Sequence, residues 1–340
     1  MNTRVNLNYI CVALTCVLFL TVLSGCGPKE KTAEASGLIK VSVQTDWYAQ
    51  AEHGGFYQAV AKGFYKEKGL DVDILQGGPS TRLAETVVTG RVTFGIGRSD
   101  DTMMSISQGL PMVIVGALMQ QDPQALLLHE ENPINDLKDL NGTTIMTSPG
   151  SVIVQHLRAR YGIDFNVLPL NYGLAQFMAD KNFIQQCFVT NEPFYVRQAG
   201  AKPKTLLLSK SGYEPYRVII TSQKFARENP ELVKKFVEAT IQGWADYLGA
   251  DPKPGNDLIL TRNANMSPEL LEFAVKTLNE TKLVAGDPQK GERIGLITRK
   301  RLRDQLETLR TLKILPNPPS LEQVARFDLL PADLLPLVGE

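Results

Sequence analysis

The stretch that decides the fold is IKVSVQTDWYAQAEHGGFYQAVAKGFYKEKGLDVDIL, residues 39–75. Residues 39–44 alternate apolar and polar side chains, which predicts a strand. Residues 54–68 carry apolar side chains at helical spacing and are followed by Gly69, a residue that favours a helix stop. Residues 70–75 alternate again. A strand, a helix and a second strand in this order indicate an α/β sheet with helical crossovers.

The same alternation continues along most of the chain. Further strands are predicted at residues 92–96, 112–118, 125–129, 143–147, 166–170, 184–189, 204–209 and 217–221. Helices are predicted at residues 80–89, 100–108, 134–140, 151–160, 173–180 and 192–198, and later at 223–229, 231–248, 267–279 and 298–312. The proline-rich residues 316–336 predict a loosely organised tail. We therefore expect an α/β protein built from two units of similar plan.

The first 26 residues differ in character from the rest. Arg4 precedes an apolar run over residues 9–23, and Leu-Ser-Gly-Cys follows, ending at Cys26. A charged start, a short apolar centre and small residues before a cut are typical of a secretory signal peptide, here residues 1–25. The Leu-Ser-Gly-Cys ending resembles the bacterial lipobox, which implies that Cys26 carries lipid and begins the mature chain. Residues 26–37 then form a polar tether. The alternative is a buried apolar helix with an isolated cysteine.

Composition excludes several classes of protein. About 300 residues remain after the anchor, enough for two lobes. The net charge is zero and no basic stripe is present, so we expect no nucleic-acid partner. Beyond the anchor only Cys187 remains, so no disulfide framework is expected. Cys187 and the histidines His53, His129 and His156 show no metal-ligand spacing, and we expect neither a metal nor a cofactor.

Candidate binding residues follow from the predicted strand ends. Ligands of open α/β sheets bind beyond the carboxyl ends of strands, where loops meet helix N-termini. The residues at these positions are Asp46, Trp47, Tyr48, Glu52, His53, Gly97, Arg98, Ser99, Asp100, Asp101, Ser148, Ser151, Asn171, Tyr172, Thr190, Asn191 and Glu192. Aromatic, hydroxyl and carboxylate groups dominate, and Arg98 is the single cation. Such a surface suits a flat, partly cationic or amine-bearing ring, stacked on aromatic faces and held by hydrogen bonds.

Each candidate also has a purely structural interpretation. Trp47 and Tyr48 are adjacent, so in an extended segment they point in opposite directions, and one of them is expected in the core. His53 is slightly better suited to capping the following helix, or to binding a buried carbonyl, than to direct ligand contact. The candidates that are ordinary helix N-cap or first-turn residues are Ser99, Asp100, Ser148, Asn191 and Glu192.

Sequence motifs of catalysis are missing. There is no Gly-x-Ser-x-Gly elbow, Walker loop, His-Glu-x-x-His or dinucleotide-binding glycine motif after a strand. Glu52 and His53 are neighbours in sequence, and neighbours share no helix face. The residues alone therefore disfavour an enzyme.

Residues 45–75, TDWYAQAEHGGFYQAVAKGFYKEKGLDVDIL, resemble the opening of the NMT1/THI5-like solute-binding proteins of ABC importers. The likeness continues through GRVTFGIGRSD, DLKDLNGTTI, IQQCFVTNEPF and NPELVKKFVEATIQGWADYL, so it covers residues 39–248. It implies a periplasmic binding protein type II-like fold, with two α/β lobes joined by crossover hinge strands. Lobe 1 would take residues 38–125 and 218–340, and lobe 2 residues 126–217. Closure of the lobes would trap the ligand.

The resemblance also implies roles for single residues. Family members that bind thiamine-precursor pyrimidines stack the ring on aromatic residues of the opening motif and hold an exocyclic amine with an acid. This nominates Trp47 and Tyr48 for stacking and Glu192 for the amine. Asp46 and His53 match the motif without an implied role.

The eukaryotic relatives in this family are pyrimidine synthases, and the sequence departs from them. They carry a lysine after the third strand, a histidine a few residues later and a cysteine-rich iron-binding run. Here Gly97 stands at the position of the lysine, Asp101 stands near that of the histidine, and Cys187 is the single cysteine of the folded part. The resemblance therefore implies a receptor, with a pyrimidine-processing enzyme of the THI5 type as the disfavoured alternative.

The resulting expectation is a monomeric receptor, secreted across the cytoplasmic membrane and held to a membrane by its N-terminal lipid. Its partners would be a small-molecule solute and the permease subunits of an ABC importer. The favoured ligand is a nitrogen heterocycle of the pyrimidine, thiamine-precursor or flavin type. The alternative ligand is an anion such as a sulfonate or nitrate, bound by Arg98, Ser99 and the backbone amides of residues 148–151.

Overall fold

The computed structural model describes residues 37–334 of the chain. The predicted signal peptide of residues 1–25, the predicted lipidation site Cys26 and the tether up to residue 36 lie outside the described residues. Between residues 37 and 334, no helix combines the length and the apolar character needed to cross a bilayer. Nor does this part of the chain bring three or more His, Cys, Asp or Glu side chains together as a metal site.

The strands of the described chain form two five-stranded sheets. In chain order they are β1 (Ile39–Gln44), β2 (Leu70–Leu75), β3 (Phe94–Arg98), β4 (Met112–Met119), β5 (Gln124–His129), β6 (Thr144–Thr147), β7 (Asn166–Pro169), β8 (Ile184–Phe188), β9 (Pro203–Leu207) and β10 (Arg217–Ser222). The first sheet has the order β2-β1-β3-β10-β4 and the second the order β7-β6-β8-β5-β9. Each predicted strand is present with its ends within two residues of the expected position. The predicted α/β class is confirmed.

The chain passes between the two sheets twice. Residues 120–123 lead from β4 into β5, and residues 208–216 lead from β9 back to β10. The returning strand β10 inserts between β3 and β4 and runs antiparallel to both, with Ile219 opposite Ile96. The first sheet is therefore completed only after the second has been built. The residue bounds given above for the two lobes stay a prediction.

Helices cover both sheets. They are α1 (Gly54–Ala61), α2 (Phe64–Glu67), α3 (Leu83–Val88), α4 (Ser99–Ser107), α5 (Val152–Tyr161), α6 (Ala175–Ala179), α7 (Glu192–Gln198), α8 (Gln223–Glu228), α9 (Pro230–Gly249), α10 (Lys253–Arg262), α11 (Pro268–Thr281), α12 (Arg299–Thr311) and α13 (Leu321–Val324). Single 3-10 turns lie at Ala51–His53, Leu137–Leu140, Leu208–Ser211, Pro288–Lys290, Phe327–Leu329 and Ala332–Leu334.

The structure departs from the predicted helices and the predicted tail in several places. The single helix expected over residues 54–68 is split into α1 and α2, because Gly63 adopts a left-handed φ of 80° between them. Helix α10 was not expected, since its first turn contains both a proline and a glycine. The tail is packed rather than loose: Leu329 and Leu330 are buried, and the Arg326 amide donates to the carbonyl of Ile114 in β4.

Helices α1 and α9 approach each other closely through glycines. A Cβ atom on Gly243 of α9 would lie 2.2 Å from the carbonyl oxygen of Gly55 in α1. A Cβ atom on Gly55 would lie 2.3 Å from the buried ring of Trp244. Because both positions lack a side chain, α9 anchors α1 and therefore the loop that precedes it.

Candidate ligand-binding cavity

An open cavity of about 230 Å³ lies between the two sheets. Ligand sites typically measure roughly 300–1,000 Å³, so this cavity suits a small molecule. The residues that line it are Asp46, Trp47, Gln50, Leu170, Tyr172, Gln185, Gln186, Cys187, Phe188, Asn191 and Glu192. They come from the loop after β1, the loop after β7, strand β8 and the start of α7. Both sheets therefore contribute to one site near their strand ends.

Two aromatic rings meet across this cavity. Trp47 follows β1 of the first sheet and Tyr172 follows β7 of the second, and their ring centroids are 4.9 Å apart at an interplanar angle of 39°. Tyr48 meets the Trp47 ring edge-on at 5.6 Å, is 45% exposed and does not line the cavity. Neither Trp47 nor Tyr48 lies in the core, because the loop after β1 carries both rings outward. The aromatic pair at the cavity is thus Trp47 with Tyr172.

Tyr172 is held in an unfavourable backbone conformation. Its φ of 61° is left-handed, which costs a residue with a side chain roughly 1–2 kcal/mol. The Gly173 amide donates to Oδ1 of Asn171 at 2.9 Å and closes the turn around Tyr172. The Tyr172 ring is 56% exposed, so core packing does not explain the strain. Strained residues of this kind cluster at functional sites.

Glu192 supplies an acid to the cavity. Its Oε2 accepts a hydrogen bond from the Phe188 amide at 2.8 Å, which fixes the carboxyl group at the start of α7. Burial, with a smaller contribution from the neighbouring Glu52, raises the pKa of Glu192 to about 7. Glu52 itself lies behind the cavity wall, where it accepts a hydrogen bond from the Thr190 hydroxyl, and burial raises its pKa also. Near neutral pH, Glu192 is divided between a carboxylic acid and a carboxylate.

Asp46 lines the cavity with its charge already paired. It is ion-paired with Arg217 at the start of β10, and Nε2 of His53 lies 3.1 Å from its Oδ1. His53 is buried, and burial lowers its pKa to about 4, so a neutral imidazole donates to Asp46. His53 occupies the N-cap position of α1, but its side chain makes no capping bond and does not line the cavity.

Arg98, Ser99 and Asp100 lie outside the cavity. Nε of Arg98 is 3.1 Å from Oδ1 of Asp100 and 3.6 Å from Oδ2 of Asp122, so its charge is shared between two carboxylates. Ser99 and Asp100 are fully buried, and the Ser99 hydroxyl donates to Gln305 of α12. The segment that returns from β9 to β10 covers them, since the Tyr213 hydroxyl donates to Asp100 and the Tyr216 amide donates to the Ser99 hydroxyl. The structure therefore does not bring the three predicted residues to the site.

Ser148 and Ser151 also lie apart from the cavity. They flank a short loop between β6 and α5, in which Ser148 is exposed and Ser151 is partly buried. Ser151 is the N-cap residue of α5 but makes no side-chain capping bond. The anion site expected from Arg98 and this loop is consequently not assembled around the cavity.

Sequence reasoning missed six lining residues, which are Gln50, Leu170, Gln185, Gln186, Cys187 and Phe188. Two of them carried a usable signal. Gln185 and Gln186 interrupt an otherwise apolar strand, and Gln185 is 1% exposed. A carboxamide buried in a strand must find hydrogen-bond partners, so adjacent glutamines at such a position indicate a polar site.

Two lobes that meet at a cavity and are joined by two crossing segments form the periplasmic binding protein fold. The crystal structure of the periplasmic aliphatic sulphonate binding protein SsuA from Escherichia coli has this fold. It matches with a TM-score of 0.64 at 11% identity, covering 84% of this chain and 92% of that one. The model of the family described as NMT1/THI5 like matches residues 50–254. The chain belongs to this family.

Named relatives fall into two groups. The riboflavin-binding protein RibY of Chloroflexus aurantiacus is 27% identical over 272 residues, which is 72% of this chain and 76% of RibY. The formylaminopyrimidine-binding protein of Halalkalibacterium halodurans is 21% identical, covering 76% of this chain and 81% of its own length. The 4-amino-5-hydroxymethyl-2-methylpyrimidine phosphate synthase THI11 of Saccharomyces cerevisiae is 23% identical, covering 64% and 73%. The chain is thus similar both to binding proteins and to a synthase.

Proposed function

We propose that the protein is the extracytoplasmic receptor of an ABC importer and binds a small planar nitrogen heterocycle between its lobes. The observation that carries this proposal is the pair of Trp47 and Tyr172, which face each other from the two sheets at the cavity. An aromatic ligand ring between Trp47 and Tyr172 would lie about 3.5 Å from each side chain. The distance between the two side-chain centroids would therefore increase by about 2 Å from its present 4.9 Å. Ligand binding would thereby couple the two lobes.

The charges at the cavity support an uncharged or amine-bearing ligand over an anion. The lining residues include Asp46 and Glu192 but neither lysine nor arginine. Arg217 is ion-paired with Asp46, lies over the Phe188 ring at 5.8 Å and is 3.8 Å from Asp122. A sulfonate or nitrate would meet the Glu192 carboxyl without an unpaired guanidinium to compensate. The names of the riboflavin-binding and formylaminopyrimidine-binding relatives support the same ligand class.

The lobe bounds proposed here are residues 38–125 with 218–340, and residues 126–217. Their support is the path of the chain, since nearly all of the first sheet falls in the former set and nearly all of the second sheet falls in the latter. The hinge would consist of the two crossing segments, residues 120–123 and 208–216. Hinges of this kind absorb the backbone rotation that opens and closes a binding cleft.

An N-terminal lipid on Cys26 would hold the receptor at the membrane beside its permease. The support is the sequence of residues 1–26, in which a charged start, an apolar centre and Leu-Ser-Gly-Cys follow one another. Replacing Cys26 by alanine should release the protein from membranes, and intact mass should show the loss of the acyl chains. A Cys187→Ala variant is the matched control because Cys187 is buried in the folded part, and its membrane fraction should be unchanged.

The function is tested by thermal shift with heterocycles and anions. At 100 times its dissociation constant, a ligand adds about 2.7 kcal/mol of stability, which is readily measured. Riboflavin or an aminopyrimidine should raise the melting temperature, whereas alkanesulfonates and nitrate should not. The Trp47→Ala change should weaken heterocycle binding about fivefold or more, because stacking on an aromatic side chain contributes ~1–3 kcal/mol. Tyr48→Ala should have a smaller effect, since Tyr48 only supports the Trp47 ring edge-on. A melting shift with sulfonates alone would refute the proposal.

A further inference from the structure

Gln185 is a buried carboxamide in the cavity wall with one hydrogen-bonding group unused. It lies in β8, is 1% exposed and lines the cavity. Its Nε2 donates to the carbonyl oxygen of Gly173 at 3.3 Å. Its Oε1 is buried and has no hydrogen-bond donor within the described chain. Buried acceptors are nearly always satisfied in folded proteins, and leaving one unsatisfied lowers stability.

In the neighbouring residue Gln186, the side-chain carbonyl oxygen has a hydrogen-bond donor. Oε1 of Gln186 accepts a hydrogen bond from the Thr147 hydroxyl at 2.7 Å. Thr147 ends β6, so the second sheet itself satisfies Gln186. No corresponding hydroxyl or amide reaches Oε1 of Gln185 among residues 37–334. The unused acceptor is therefore specific to Gln185 and is not a general property of this strand.

The orientation of the Gln185 carboxamide is set by the turn that carries Tyr172. The Gly173 carbonyl accepts from Nε2, so the amide nitrogen must point toward Gly173 and the oxygen away from it. The Gly173 amide in turn donates to Asn171 and closes the strained turn around Tyr172. Gln185 and the Tyr172 ring are consequently held in a fixed relation to each other on the same side of the cavity.

We propose that Gln185 determines which heterocycles bind, because its Oε1 accepts a hydrogen bond from an N–H on the edge of the ring that Trp47 and Tyr172 cover. The inference rests on the proposed function and narrows its ligand class. The ligand is a planar heterocycle with an unalkylated imide, lactam or amine N–H. A site built to accept such a donor rejects analogues that lack it far more strongly than an apolar pocket does.

The test is a cycle of two proteins and two ligands. The proteins are the full-length wild type and Gln185→Met, which keeps the side-chain length but removes the acceptor. The ligands are riboflavin and N3-methylriboflavin, in which the edge imide N–H is blocked. Where the aminopyrimidine binds the wild type in place of riboflavin, the pair is 4-amino-5-hydroxymethyl-2-methylpyrimidine and its 4-dimethylamino analogue. Dissociation constants are measured by isothermal titration calorimetry.

The wild type should bind the N–H ligand about tenfold or more tightly than the methylated one, as expected for a hydrogen bond to a buried acceptor. In Gln185→Met this preference should shrink to about twofold or less, because both ligands then meet a thioether. The Gln186→Met variant should keep the tenfold preference even if both affinities fall, since its acceptor is already satisfied by Thr147. A melting curve of each variant without ligand checks that it is folded.

The outcomes separate this inference from the proposed function. A wild type that binds neither heterocycle pair contradicts the proposed function and this inference with it. A wild type that binds both members of a pair equally, or a Gln185→Met variant that keeps the preference, overturns the role of Gln185 and leaves the receptor function standing. A Gln185→Met variant that keeps the preference would mean that water or another group satisfies Oε1 of Gln185 in the wild type.

Discussion

Ligand affinity should depend on pH through Glu192, and the dependence should vanish in Glu192→Gln. Burial raises the pKa of this carboxyl to about 7, and its Oε2 already accepts from the Phe188 amide. A ring amine or N–H that donates to Glu192 needs the carboxylate. Below pH ~7 the group must therefore lose a proton before it binds, and the affinity falls by about tenfold per pH unit.

The magnitude follows from the difference between pH and pKa. At about pH 5, roughly one Glu192 in a hundred is ionised, so the dissociation constant should rise by about 100-fold relative to pH 8, which is about 2.7 kcal/mol. Titration calorimetry with a ligand whose own charge is constant over this range measures the slope. Calorimetry in two buffers of different ionisation enthalpy should show proton release on binding below pH ~7.

The matched control is Asp122→Asn. Burial raises the pKa of Asp122 to about 6, yet Asp122 does not line the cavity and lies between Arg98 and Arg217. This variant should keep the fall in affinity below pH ~7, because Glu192 still titrates with a pKa of about 7. An unchanged slope in Glu192→Gln would refute the assignment of the pH dependence to Glu192. A wild-type affinity that rises on acidification would refute the carboxylate as acceptor.

Three further predictions concern the cavity wall and the packing beneath it. Tyr172→Ala should weaken heterocycle binding by ~1–3 kcal/mol. Because both rings act on the same ligand, the double variant Trp47→Ala/Tyr172→Ala should lose less binding free energy than the sum of the two single variants. Calorimetric titration of the four proteins measures this difference, and strict additivity would contradict a shared ligand. Cys187 lines the cavity, and burial raises the pKa of its thiol well above the usual range, so alkylation of Cys187 should be slow. Ligand at 100 times its dissociation constant should reduce the alkylation rate by about a further 100-fold. An alkylation rate that ignores ligand would place the ligand elsewhere. Gly243→Ala should lower the free energy of unfolding in urea by about 3 kcal/mol or more, because the new Cβ meets the Gly55 carbonyl. The control is Gly249→Ala on the same helix, where the Cβ meets open space, and this change should be neutral or stabilise by up to about 1 kcal/mol.

The strand pattern could be predicted from the sequence because it depends on local alternation. Residues 39–44 and 70–75 pair in parallel along their full length, as the strand-helix-strand pattern indicates. The break at Gly63 was not predicted, since apolar spacing continues across it and only the backbone conformation reveals the split. The tail was not predicted either, because Leu329 and Leu330 are buried by β4 and helices that are remote in sequence.

The candidate site was also predictable only where it depends on the local sequence pattern. Trp47 and Glu192 follow strands directly, so the rule that ligands lie beyond strand ends nominated them. Arg98 also follows a predicted strand and is the last residue of β3, but its pairing with Asp122 depends on a contact between segments that no local pattern encodes. Gln185 lies inside a strand, where the apolar rule assigns residues to the core. The buried acceptor at Gln185 emerges only when the neighbours on both sides are known.

The receptor function is tested most directly by isothermal titration calorimetry of the full-length protein with four solutes: riboflavin, 4-amino-5-hydroxymethyl-2-methylpyrimidine, an alkanesulfonate and nitrate. We predict that one of the two heterocycles binds with a stoichiometry of one per chain and remains chemically unchanged after recovery, and that neither anion gives measurable heat. Binding of the sulfonate or nitrate without binding of either heterocycle would contradict the central claim.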